Sequence, residues 1–187
     1  MAENLVKIVL AGEGGQGVQS VANIITEAAY ARGKQALYIP NFGVEQRGGV
    51  SVAFVQIAED AISSLKFAKA DVVVALSPRA MLRTEQYVNE DTIYIYDSSL
   101  DKNMVPGIAK HILPIPAMEI VTRDFHPRVF NVLVMGAVVG VIPMIEMTDV
   151  ADALVKKLQY KFDKEPALKK MNLDVLEIGA NYFAANK

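Results

Sequence analysis

The sequence predicts an α/β protein: an open, mostly parallel sheet flanked by helices, with a helical C-terminal third. Three observations carry this reading. Short apolar runs alternate with helically spaced segments over roughly the first two thirds of the chain. A glycine cluster joins the first apolar run to the first helical pattern, as in strand–turn–helix units of such sheets. From about residue 130 onward the spacing is helical throughout. A length of 187 residues predicts one domain, spanning 1–187.

Each element has a local reason. Residues 5–11 form a short apolar run ending beside glycines, which reads as a buried strand. Val18, Val21, Ala22, Ile25, Ala28 and Ala29 then recur at helical spacing, and Gly33 is a natural stop. Residues 35–39 read as a second strand ended by Pro40, which makes a right-handed parallel crossover with the first. Residues 50–57 and 71–76 are further apolar strands. Ser77-Pro78 opens a helix to about Tyr87, with proline in the first turn. Strands follow at 92–96 and 111–115. Residues 130–141 are nearly all apolar, a buried helix. Thr148 is a fitting cap for an amphipathic helix over 148–162, which puts Lys156, Lys157 and Lys161 on a solvated face. A last helix starts near Pro166, and Leu168, Met171, Val175, Ile178 and Tyr182 form one stripe along it. Packing on its own domain and contact with another subunit both fit that stripe.

Composition removes whole classes of chemistry. With no cysteine the chain offers no disulfide, no thiolate nucleophile and no ligand set for an iron–sulfur cluster or a thiolate zinc site. His111 and His126 are the two histidines, too few for an imidazole metal site, so no metal ligand is assigned. A formal net charge of −2 gives no basic surplus for nucleic acid or an anionic membrane. The first residues lack a signal-peptide pattern and the longest uncharged stretch is interrupted by Pro143, so a cytoplasmic protein is expected. An apolar fraction of 52% leads to the expectation that some surface is covered by partners.

Two loops carry the functional signal. Gly12, Gly14 and Gly17 have dinucleotide-fingerprint spacing between strand and helix. Such glycines permit a tight turn and bring main-chain N–H groups to an anion. The acid that a nicotinamide site places after the second strand is missing: Ile39-Pro40-Asn41 stands there, and Glu13 inside the turn repels a pyrophosphate. A packed tight turn, a site for another phosphate-bearing group and an NAD module remain as readings of the residues. The second loop, Asn41-Phe42-Gly43-Val44-Glu45-Gln46-Arg47-Gly48-Gly49, sets an aromatic, a carboxylate and a guanidinium among glycines. Arg47 suits an anionic group, while a Glu45–Arg47 surface pair is the plainer alternative.

Together the two loops make the sequence resemble the gamma subunits of 2-oxoacid:ferredoxin oxidoreductases. Gly12-Glu13-Gly14-Gly15-Gln16-Gly17-Val18 resembles the family's first loop, and Phe42-Gly43-Val44-Glu45-Gln46-Arg47-Gly48-Gly49 its second. Residues 70–75 resemble a third block. Arg128-Val129-Phe130-Asn131 leading into Met135-Gly136-Ala137 resembles a fourth, and Asn181 is a further match. The resemblance implies a Rossmann-like domain packed beside an active site that other subunits form. It implies oxidative decarboxylation of a 2-oxoacid on thiamine diphosphate and Mg between alpha and beta subunits. Electrons pass through iron–sulfur clusters in beta or delta subunits to ferredoxin, and acyl-CoA is released. This chain supports CoA access and assembly and supplies no catalytic residue. Gly12, Gly14, Gly15, Gln16 and Gly17 are its first set of cofactor-side residues, and Gly43, Glu45, Arg47, Gly48 and Gly49 the second. Arg47-Gly48-Gly49-Val50, where pyruvate-type subunits have Arg-Thr-Gly-Ala, resembles the 2-oxoglutarate, branched-chain and indolepyruvate branches. Gln46-Arg47-Gly48-Gly49 leans toward indolepyruvate, and Phe42-Gly43-Val44-Glu45 toward 2-oxoglutarate or a related 2-oxoacid, which is favoured.

Among other residues, His126 and Arg128 read as a solvated helix-opening turn, with an anion contact as the alternative. Asp97-Ser98-Ser99 reads as turn chemistry at a strand end.

Overall fold

The computed structural model describes residues 4–41 and 49–183. Six strands form one sheet: β1 (Leu5–Glu13), β2 (Gln35–Asn41), β3 (Val50–Ala58), β4 (Val72–Ala75), β5 (Ile93–Asp97) and β6 (His111–Ile115). Their order is β2-β3-β1-β4-β5-β6. β1, β4, β5 and β6 pair in parallel, whereas β3 runs antiparallel to both β1 and β2. The α/β class with a mostly parallel sheet therefore holds, and so does the helical C-terminal third. The simple crossover is corrected. β1 and β2 point the same way, but β3 is wedged between them, with Gly12 opposite Ser51 and Asn41 opposite Val52. Period and apolarity give a strand's existence and faces, not its direction, so the reversal is invisible in the pattern.

β1 lies near the middle of the sheet because it is apolar on both faces. Ile8, Leu10 and Val6 point to one layer, Val9 and Ala11 to the other, all essentially inaccessible. The first layer is thick. It holds α1 (Val18–Ala31), α3 (Ala117–Asp124), α4 (Phe130–Val139), α5 (Met147–Phe162) and α6 (Pro166–Tyr182). The second holds α2 (Pro78–Thr84) and its short 3-10 continuation Glu85–Tyr87, over Tyr94 and Tyr96. Pro40 does not end β2 but sits inside it, which an edge strand tolerates.

α4 is apolar all round and buried along its length. It crosses α6 at glycines. A Cβ on Gly136 would lie 2.2 Å from the Leu176 carbonyl oxygen, and one on Gly179 would lie 2.1 Å from that of Leu133. The contact face of α6 is therefore Asn172, Val175, Leu176 and Gly179, rotated from the stripe read in the sequence. Of that stripe Val175 is fully buried, and Met171, Ile178 and Tyr182 pack partly on the same core. α5 begins one residue earlier than expected, and Thr148 is not its cap. The Glu146 main-chain N–H donates to the Asp149 carboxylate at 2.8 Å, and Arg32 of α1 pairs with Glu146 and Asp149 at 2.5 and 2.9 Å.

Candidate functional site

The C-terminal ends of β1 and β4 lie side by side, and the first glycine loop rises from them. The Gln16 N–H donates to the Glu13 carbonyl at 3.1 Å and closes the turn. The Gln16 side chain holds the turn to the sheet. Its Oε1 accepts from the Glu13 N–H at 2.7 Å, and its Nε2 donates to the Leu76 carbonyl at 2.7 Å. Gln16 is thus a positioning residue: both of its polar atoms are spent inside the protein.

Each glycine has a different reason. Gly12 has no room for a side chain, since a Cβ would lie 2.7 Å from Gln16 Oε1. Gly15 and Gly17 have φ of +96° and +73°, which only glycine adopts without strain. Gly17 caps α1 and also abuts Asn131, whose Nδ2 would lie 2.6 Å from an added Cβ. Gly14 meets nothing within 4 Å and is exposed with Gly15. The outer face of this turn is therefore bare main chain at the head of a 14-residue helix, a surface suited to an anion.

Glu13 does not stand as an isolated repelling charge. Its carboxylate pairs with Arg79 Nε at 3.0 Å, and that hydrogen bond holds its pKa below the usual carboxylate value, with a smaller contribution from Ser77. Ser77 caps α2 by accepting from the Ala80 N–H at 3.1 Å, which places Arg79 one turn from the glycine loop. Gln19 ties α1 to the neighbouring hairpin: it donates to Ser51 Oγ and the Val52 carbonyl at 2.6 and 3.0 Å, and accepts from Tyr38 Oη at 2.5 Å.

Of the second set, Gly49 is described: it precedes Val50, which pairs with Glu13 at the end of β1 where the first loop begins. Gly43, Glu45, Arg47 and Gly48 lie outside the described residues. Sequence reasoning missed Arg79, Gln19 and the contact between Gly17 and Asn131. Only Asn131 had a signal, its place in the fourth block. Asp97 proves to be a helix cap, its Oδ2 accepting from the Met118 N–H at 2.9 Å and its Oδ1 from Ser99. His126 likewise caps locally, Nδ1 accepting from the Arg128 N–H at 3.1 Å.

Among the described residues, the arrangement presents main chain suited to an anion and brings no nucleophile and base together. Among the described residues, no three His, Asp or Glu side chains are placed to hold a metal ion. No helix among them is long and apolar enough to cross a membrane.

Comparison with known proteins places this edge in context. Residues 7–182 match the pyruvate ferredoxin/flavodoxin oxidoreductase family. The chain belongs to that family. It is 31% identical over 158 residues to the common gamma subunit of pyruvate/ketoisovalerate oxidoreductases of Pyrococcus abyssi, covering 80% of this chain and 85% of that protein. It is 29% identical to the ketoisovalerate oxidoreductase subunit VorA of Methanothermobacter thermautotrophicus over 97% of its length, but spans only 37% of that protein. It is 31% identical to the 2-oxoglutarate synthase subunit KorC of Archaeoglobus fulgidus, over 73% of this chain and 71% of that one. The gamma subunit of a keto/oxoacid ferredoxin oxidoreductase from Geobacter sulfurreducens shares its fold, with a TM-score of 0.81 and 24% identity over 96% of this chain and 99% of that one.

Proposed function

We propose that this chain is the gamma subunit of a multisubunit 2-oxoacid:ferredoxin oxidoreductase. In this reading the holoenzyme decarboxylates a 2-oxoacid, 2-oxoglutarate for preference, to an acyl-CoA and reduces ferredoxin. Alpha and beta subunits, and delta where there is one, carry thiamine diphosphate, Mg and the iron–sulfur clusters. A chain without cysteine cannot supply cluster thiolates, so electrons travel through its partners. Its own contribution is a CoA-facing edge and assembly. The observation that carries the reading is the bare turn at Gly14 and Gly15, anchored to the sheet by Gln16. The phosphate-bearing end of CoA suits such main chain. The substrate preference rests on Phe42-Gly43-Val44-Glu45, with Arg47-Gly48-Gly49-Val50 setting the chain apart from the pyruvate type. Relatives named for ketoisovalerate, pyruvate and 2-oxoglutarate stand at similar identity.

Gly14→Glu tests the edge. The new side chain has space, so the fold is kept, but its carboxylate faces the proposed phosphate path. In the assembled enzyme the KM for CoA should rise about tenfold or more, with the KM for the 2-oxoacid unchanged. An unchanged CoA KM removes the CoA-facing role. Tight NAD binding by the isolated chain, read by calorimetry, replaces the whole reading with a nucleotide-binding module.

A further inference from the structure

The lysines of α5 and α6 have a role that the glycine edge does not absorb. Residues 156–170 hold six lysines against Asp163 and Glu165, a local surplus of four positive charges in a chain whose formal net charge is −2. This hairpin borders a groove of about 810 Å³ between α1, α4, α5 and α6. The floor is mainly apolar: Ile24, Met135, Leu154, Leu158 and Met171 line it, with Asn131 and the buried Asn172 as its polar members. The rim is cationic. His126, Arg128, Lys157 and Lys161 line the groove, with Glu165 as the acid among them.

These cations are not spent alike. Lys157 is engaged by Asn23 at 2.5 Å and Glu27 at 3.2 Å. Lys161 lies over the Tyr160 ring, 5.8 Å from its centroid, and that ring is 60% exposed at the groove. Arg128 makes no ion pair among the described residues. An apolar floor with an exposed tyrosine and arginine at its margin has the make-up of a protein interface core and rim. The complementary shape is a helix with one apolar face bordered by Asp and Glu.

We propose that this groove docks an acidic amphipathic segment of a partner subunit. The proposal rests on the multisubunit reading above; the groove reaches the glycine edge at Asn131, which abuts Gly17, and extends from there along α5 and α6. Apolar side chains of the segment fill the floor, while its carboxylates meet Arg128 and Lys161. The attraction speeds and orients docking, and added salt weakens it.

The test is association of the full chain with the other subunits of its own enzyme, measured as a dissociation constant. Arg128→Glu/Lys161→Glu should weaken association at least about tenfold. Tyr160→Ala, which leaves the charge pattern alone, should weaken it as well. Lys156→Glu/Lys164→Glu changes net charge equally but off the groove, and should stay within about threefold of the parent. Thermal melting of each variant shows that the fold is kept. Unchanged association of the first two variants overturns the groove while the subunit reading stands. Failure of the parent chain to associate with any of those subunits overturns both. If the parent chain instead sediments with phosphatidylglycerol vesicles, and Arg128→Glu/Lys161→Glu abolishes that while assembly is unaltered, the face is a membrane surface and the proposal falls.

Discussion

At Gly17 two constraints meet in one atom's place. A side chain there must take φ of +73° and also displace Asn131. Gly17→Ala should therefore cost about 1–3 kcal/mol, read as a lower urea midpoint at an unchanged slope. Adding Asn131→Ala relieves the contact but not the backbone, so the double mutant should recover part of the loss and show coupling of at least about 0.5 kcal/mol. Tyr94 supplies the opposite case, a polar atom without a use. Its hydroxyl is buried and has no hydrogen-bond partner of normal geometry among the described residues; the nearby Thr84 hydroxyl gives its own proton to the Ala80 and Met81 carbonyls. Burial is the main cause that pushes its pKa up to about 12 from 10.0. Above pH 10 the unfolded chain loses this proton while the folded chain keeps it, so stability falls with pH until about 12. Tyr94→Phe should leave stability at neutral pH within about 1 kcal/mol of the parent. It should also remove about 2 kcal/mol of the alkaline loss, which denaturation at pH 8 and pH 11.5 would show. A larger neutral-pH loss would mean that the hydroxyl is bonded after all.

Among the elements, the α4–α6 crossing is the most exacting. Backbone touches backbone at Gly136 and Gly179, so a single methyl has no flexible neighbour to push aside. Gly136→Ala and Gly179→Ala should each cost about 3 kcal/mol or more. In a chain of this size that lowers the melting temperature by roughly 6–12 °C. Changes under about 1 kcal/mol in both would mean that the helices cross elsewhere. The same crossing shows where sequence reading stops. Period and apolarity located the last helix, but the preferred stripe through Leu168 and Ile178 ignores that two glycines permit closer approach than any side chain. α3 went unread because Pro114 and Pro116 precede it, and Glu119, Arg123 and Asp124 dilute its apolar face over barely two turns. The start of α5 is set by Glu146, Asp149 and a distant Arg32, a tertiary arrangement with no trace in local spacing.

In the whole molecule, the glycine edge was legible because a turn of that conformation leaves glycines at fixed places. Its neighbours were not, since Arg79 and Gln19 reach it only through the strand order. That order also has a temporal consequence. β1 is first in the chain and near the middle of the sheet, yet both of its partners, β3 and β4, come later. Ile8 on β1 has to wait for Val72 to be synthesised before that side of the strand is paired. At roughly 5–20 residues per second that is a delay of about 3–13 s. Through this interval one side of an apolar strand stays unpaired, while β3 becomes available to the other side and α1 to one face. The nascent chain therefore carries an open apolar strand edge until β4 is made, and a chaperone that holds the segment from β1 to β4 should reduce aggregation during synthesis.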